Sequence, residues 1–148
     1  MEKDTKNTAD TKADKPLHLV RGAEAEDAVV RWLSDRGFKV VERNVRFKVG
    51  EIDIIAWERD VLCFIEVRSR DKKTTYSPAE TVGNKKQHNL IRSAQLYLQS
   101  RMRKLPHCRF DVVSVRGYGD SMQIEHIRNA FEAERAPRSQ KGSPWQGY

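Results

Sequence analysis

The apolar positions of this chain change period along its length, and each change marks an element. From about Gly22 to Arg36, Ala25, Ala28, Val29, Trp32 and Leu33 recur at helical spacing and predict an amphipathic helix that Gly37 stops. Phe38 to Asn44 reads as a strand. Gly50-Glu51-Ile52-Asp53-Ile54-Ile55-Ala56 and Phe64-Ile65-Glu66-Val67-Arg68 are dense in Ile, Val and Phe and predict strands buried on at least one face. Helical spacing returns over 84–101, with Leu90, Ile91, Ala94, Tyr97 and Leu98 facing inward. Arg109 to Val115 is a fourth strand, and Gln123 to Ile127 a fifth that leads into Asn129-Ala130-Phe131. The order α-β-β-β-α-β-β predicts an α/β domain with a mixed sheet of about five strands between helices.

Three acids and a base interrupt the two most apolar runs. A carboxylate in a buried strand is costly unless a cation or hydrogen bonds compensate it. Trp57-Glu58-Arg59-Asp60-Val61 is short and polar at its centre, which predicts a tight antiparallel hairpin. With a loop of two residues (Arg59-Asp60) or four, Asp53 falls directly opposite Glu66, and Glu51 opposite Arg68. Their Cβ atoms would be ~5 Å apart on a shared face. An odd loop would put Asp53 and Glu66 on opposite faces. Because side chains alternate along a strand, Asp53, Glu66 and Arg68 form one cluster. Two facing carboxylates repel unless a cation joins them. Hard oxygen donors beside a strong cation suit Mg2+ or Mn2+ and metal-assisted phosphodiester hydrolysis. A cross-strand ladder of ion pairs on a solvated face is the alternative, and the flanking Ile52, Ile54, Ile55 and Phe64 weigh against it.

Other charged residues take places around this cluster. Glu51 is expected to pair with Arg68. In the first helix Glu26 projects beside Leu33 at the rim of the apolar stripe, whereas Glu24 and Asp27 point away. An acid near a helix N-terminus also favours the macrodipole, so both roles stay open for Glu26. Arg68, Arg70, Lys72 and Lys73 lead into a polar loop where backbone phosphates could be gripped, or where they merely meet solvent. On the second helix Lys86 lies at the border of the apolar face, within reach of a site, while Lys85, His88 and Arg92 face solvent. Asp111 reads as the structural partner of a neighbouring base.

With 148 residues, the chain fits one domain, expected over 20–134, plus tails. Residues 1–19 and 135–148 lack the apolar periodicity that would offset ordering entropy, and both are expected to be disordered. The formal net charge of +7 falls mainly on the body, the C-terminal tail adding three bases and no acid. Such a balance favours a polyanionic partner, nucleic acid above all. Neither a signal peptide nor a membrane span is apparent, so a cytoplasmic protein without membrane contact is expected. Cys63 and Cys108 read as reduced thiols inside strands, and the four His lack metal spacing.

A helix acid, a strand Asp, then Glu-x-base after a short hairpin resembles the PD-(D/E)xK, or restriction-endonuclease-like, nuclease superfamily, with archaeal Holliday-junction resolvases nearest in layout. More closely, the chain resembles the YraN family of uncharacterised bacterial proteins. That likeness rests on Gly22-x-x-x-Glu26, Arg43-Asn44, Gly50-Glu51-Ile52-Asp53-Ile54-Ile55, Phe64-Ile65-Glu66-Val67-Arg68-x-Arg70, Lys86 ahead of Ala94, Arg109-Phe110-Asp111-Val112-Val113 and Asn129-Ala130-Phe131, over about residues 20–131. The resemblance implies a three-layer endonuclease-like fold. It also implies metal ligation by Asp53 and Glu66, with Glu26 acting from behind them or through a bridging water and the Val67 carbonyl as a further contact. Arg68 then takes the place of the motif's lysine. Arginine stays protonated, so there it could orient or stabilise but not accept a proton. Ile52 replaces the motif's proline. The activity implied is a metal-dependent DNA endonuclease, acting on branched or damaged DNA, with a homodimer by analogy alone. The alternative is a nucleic-acid-binding module that kept the fold without the chemistry.

Overall fold

The computed structural model describes residues 17–70 and 82–133, with the backbone alone for 17–21. Lys72, Lys73 and both expected tails beyond those bounds lie outside the described residues. The elements are α1 (Leu17–Asp35), β1 (Lys39–Phe47), β2 (Gly50–Glu58), β3 (Val61–Arg70), α2 (Asn84–Arg101), β4 (His107–Arg116) and β5 (Gln123–Phe131), with a short 3-10 turn at Gly119–Ser121. The sheet runs β1-β2-β3-β4-β5. β3 and β4 are parallel, and every other neighbouring pair is antiparallel.

The predicted order holds, with shifted boundaries. α1 begins at Leu17, a turn or more before Gly22, and β5 extends to Phe131. A helix crossover is what parallel pairing requires, and α2 supplies it between β3 and β4. Among the described residues no helix is long and apolar enough to cross a membrane.

Two cores flank the sheet and make the fold three-layered. On one face, Ala25, Val29 and Leu33 of α1 pack on Ile54, Cys63, Ile65 and Val113. On the other, Leu90, Ala94, Tyr97 and Leu98 of α2 pack on Ile52, Ile55, Phe64 and Val112. Both thiols are free, and desolvation pushes each up to about 12, which leaves them chemically inert.

Gly50 sets how closely α2 approaches the sheet. A Cβ there would lie 3.2 Å from Ser93 Oγ and 3.3 Å from Asn89 Cβ. Gly50→Val should therefore push α2 outward at Asn89 and Ser93 and cost about 1–3 kcal/mol, read as a lower urea midpoint. An unchanged midpoint would show that the helix yields freely.

Candidate functional site

The β2–β3 hairpin closes through a two-residue loop, since Glu58 pairs with Val61, and Arg59 takes the left-handed φ of 54° that such a turn uses. The even loop gives the register expected: Ile54 pairs with Ile65, so the next positions are Asp53 and Glu66. There the two strands cease to pair as backbone. Asp53 Oδ2 accepts the Val67 amide proton at 2.8 Å, a side chain taking the place of a carbonyl. This anchors the Asp53 carboxyl within hydrogen-bonding reach of Glu66.

The strand separation also overturns the pairing expected for Glu51. Glu51 stays with β1, opposite Arg46, and its carboxylate lies 3.5 Å from Arg46 Nε. Arg68 turns to Glu66 instead, its Nε 3.7 Å from Oε1. Glu66 is 4% exposed, and the Lys86 ammonium of α2 sits in contact with the same Oε1. The helix-border position of Lys86 therefore does reach the cluster; His88 and Arg92 face solvent as expected, whereas Lys85, also exposed, lines a hollow beside Asp53 and Glu66.

Glu26 joins from α1. It lines a cleft of about 360 Å³ with Asp53, Glu66, Arg68, Arg70 and Lys86. Arg43 of β1 bonds Asp27 at 2.7 Å and lies 3.8 Å from Glu26, tying that turn of α1 to the sheet. A second hollow of about 520 Å³, lined by Gly50, Asn89 and Leu90, shares Asp53, Glu66 and Lys86 with the first. The carboxylate pair thus stands in the wall between two openings.

Electrostatically Asp53 is strained by burial and by its acidic neighbours. Burial first, then the nearby Glu66 carboxylate, raise Asp53 from 3.8 to about 8 against the lowering effect of the Val67 amide, and Glu26 adds to the rise. Two hard oxygen donors in that state suit Mg2+ or Mn2+. Asp53 Oδ2 accepts from the Val67 amide and Glu66 Oε1 meets Lys86, while the two carboxyls also share a hydrogen bond. Among the described residues no three His, Cys, Asp or Glu side chains are grouped to hold a metal by themselves. A cation here would complete its shell with water, which Mg2+ favours.

Asp111 lies elsewhere, in the middle of β4 opposite Ile65. It is fully buried and accepts hydrogen bonds from Arg109 Nε (2.8 Å), His126 Nε2 (2.8 Å) and the Asn129 amide (2.9 Å). Arg109 was foreseeable as its partner; His126 was not. The buried hydroxyls of Ser93 and Ser114 also escaped notice, although a serine inside Val112-Val113-Ser114-Val115 breaks an apolar run as visibly as the acids do.

Comparison with known proteins places these residues in context. Residues 25–115 match a family described as "Uncharacterised protein family UPF0102", a span that contains Glu26, Asp53, Glu66, Arg68 and Lys86. A UPF0102 protein of Syntrophotalea carbinolica is 39% identical over 116 residues, covering 78% of this chain and 94% of the relative. One from Rhodococcus jostii is 42% identical over 115 residues, covering 77% and 98%. Another, from Desulforapulum autotrophicum, is 42% identical over 113 residues, covering 76% and 93%.

Proposed function

The chain belongs to the uncharacterised protein family UPF0102, and from its cleft we propose that it is a metal-dependent endonuclease hydrolysing phosphodiester bonds in DNA, branched or damaged DNA in particular. One observation carries this reading: two crowded carboxyls, Asp53 and Glu66, meet the Lys86 ammonium and the Arg68 guanidinium at the wall of an open cleft. A bound Mg2+ or Mn2+ would polarise the phosphoryl oxygen and make hydroxide available from water.

The protein's own groups have separable roles in that chemistry. Asp53 and Glu66 would hold the cation, with the Val67 amide fixing the Asp53 carboxyl. Glu26, on the cleft wall, would act through the cation's water. Lys86 and Arg68 place positive charge where the phosphorane oxygens would develop negative charge. Arg68 cannot take a proton, so its part is electrostatic. Arg70 continues the basic lining outward, and the net charge of +7 supports a polyanionic substrate. Symmetric cutting of a junction needs two copies, so a homodimer enters this reading by analogy. A cytoplasmic setting follows from the substrate and accords with two free thiols.

The second reading, a nucleic-acid-binding module without chemistry, draws on the same contact. Lys86 already neutralises Glu66 and leaves the pair less need of a metal. Supercoiled, single-stranded and junction DNA incubated with Mg2+ or Mn2+ separates the two. Cleavage is expected, with Glu66→Gln abolishing it and Lys86→Met slowing it about 10²–10³-fold. Cleavage undiminished in Glu66→Gln would sink the assignment. Salt-sensitive binding with no cleavage at all would select the binding module.

A further inference from the structure

The sheet face that carries Glu66 and Arg68 continues past the cleft into a separate hollow. Across β3, β4 and β5, Arg68 pairs with Ser114 and Ser114 with Glu125; one step further, Arg70 pairs with Arg116 and Arg116 with Gln123. Cross-strand partners share a face, so these side chains form two polar rows beside the carboxylate pair. They border a cavity of about 430 Å³ lined by Ser114, Arg116, Gln123, Ile124 and Glu125. Its floor holds an unmet need. Ser114 is 1% exposed, and its Oγ has no hydrogen-bond partner among the described residues. A buried hydroxyl is costly in that state, and a ligand that bonds it removes the cost.

Position and chemistry identify the ligand. One strand spacing and two residues along separate Ser114 from Glu66 by ~8 Å, at ~4.8 Å per strand and ~3.3 Å per residue. That is the scale on which a base stands off from its own phosphate. The lining offers edge-on hydrogen bonding: a hydroxyl and an amide that both donate and accept, and the Glu125 carboxylate, which only accepts when ionised. Guanine is the DNA base that sets a ring N–H and an amino group side by side on its Watson–Crick edge, which a carboxylate can accept together. Resting on the endonuclease reading, we propose that this hollow takes an unstacked guanine adjoining a phosphate held by Lys86 and Arg68 beside Asp53 and Glu66, with Glu125 on its N–H edge and Ser114 and Gln123 completing the contacts. An unpaired base is available in branched or damaged DNA, and extruding one costs least there.

Fluorescence anisotropy in EDTA, where no metal-dependent cleavage occurs, tests the site on the full chain. The probes are oligothymidylate and the same strand with a single central guanine, adenine or cytosine. The guanine strand should bind roughly five- to tenfold tighter than all-thymine. Glu125→Gln and Ser114→Ala should each bring that gain below about twofold while leaving all-thymine binding unchanged. Equal affinity for the guanine and thymine strands, an equal gain with cytosine, or a guanine gain that survives Glu125→Gln would overturn the proposal. Guanine preference without cleavage in Mg2+ would remove the nuclease reading and keep the base site. Cleavage without guanine preference would do the reverse.

Discussion

Asp53→Asn should make the protein more stable at pH 8 and, on the function proposed, weaken its binding of Mn2+. Buried beside Glu66, Asp53 is raised from 3.8 to about 8 in the folded chain. Between those values the unfolded chain has released this proton and the folded chain still holds it. Stability contributed by this group therefore falls as pH rises from about 4 to about 8, at up to ~1.4 kcal/mol per pH unit. Asparagine carries no such dependence, and its Oδ1 can still accept the Val67 amide. The variant's melting temperature should exceed the parent's by roughly 5–10 °C at pH 8, a few kcal/mol, and the gap should close towards pH 4. Calorimetric Mn2+ affinity of the parent should strengthen about tenfold per pH unit up to pH 8, because binding must expel the proton. The variant should bind weakly at every pH. A variant no more stable than the parent at pH 8 would show that the carboxylate pair carries no electrostatic strain. Stability is given up at this spot in the way functional sites commonly require.

Asp111→Ala should do the opposite and cost about 3–5 kcal/mol, because it strands buried partners rather than relieving them. Arg109 would lose its bonds at 2.8 and 3.0 Å, and His126 and the Asn129 amide would each lose their acceptor. His126 is further held between Trp32 and Phe38, at 5.8 and 5.6 Å, so the loss spreads into the α1 core. Burial alone would raise Asp111; the hydrogen bonds from His126, Arg109 and the Asn129 amide outweigh it and hold the carboxyl below 3.8. Its contribution is thus full above about pH 4 and lost as pH falls through the lower folded value. Urea titrations at pH 7 and pH 3 should show a large deficit in the variant at the first and a smaller one at the second. Equal midpoints for parent and variant at pH 7 would exclude a structural role.

The two sites were legible to different depths for physical reasons. Alternation and an even loop were enough to put Asp53 beside Glu66, since strand register has a period of two and a one-residue error would have inverted it. Glu51 was misassigned because that arithmetic assumes a ladder that runs on. The Asp53 side chain ends it by taking the Val67 amide, and Glu51 remains with Arg46. Lys86 could be placed at a helix border but not upon Glu66, because its approach depends on how α2 crosses the sheet. The Asp111–His126 bond depends on β4–β5 pairing, whose register shifts between Phe110 and Val112, and no local pattern announces such a shift. Glu26 was recoverable because a helix projects its residues at fixed angles.

Glu58 gives the sheet an uneven mechanics. Arg109 of β4 and Arg128 of β5 both grip its carboxylate, so β2, β4 and β5 are riveted together at the end farthest from the cleft. At the other end β2 and β3 are joined by a side chain to an amide, and the last backbone pair there is Ile54 with Ile65. The outer neighbours continue past that point, β1 holding β2 to Gly50 and β4 holding β3 to Arg70. Asp53 and Glu66 therefore face each other across a gap in one ladder whose two sides are each held from outside, which fixes their alignment without a backbone bond between them.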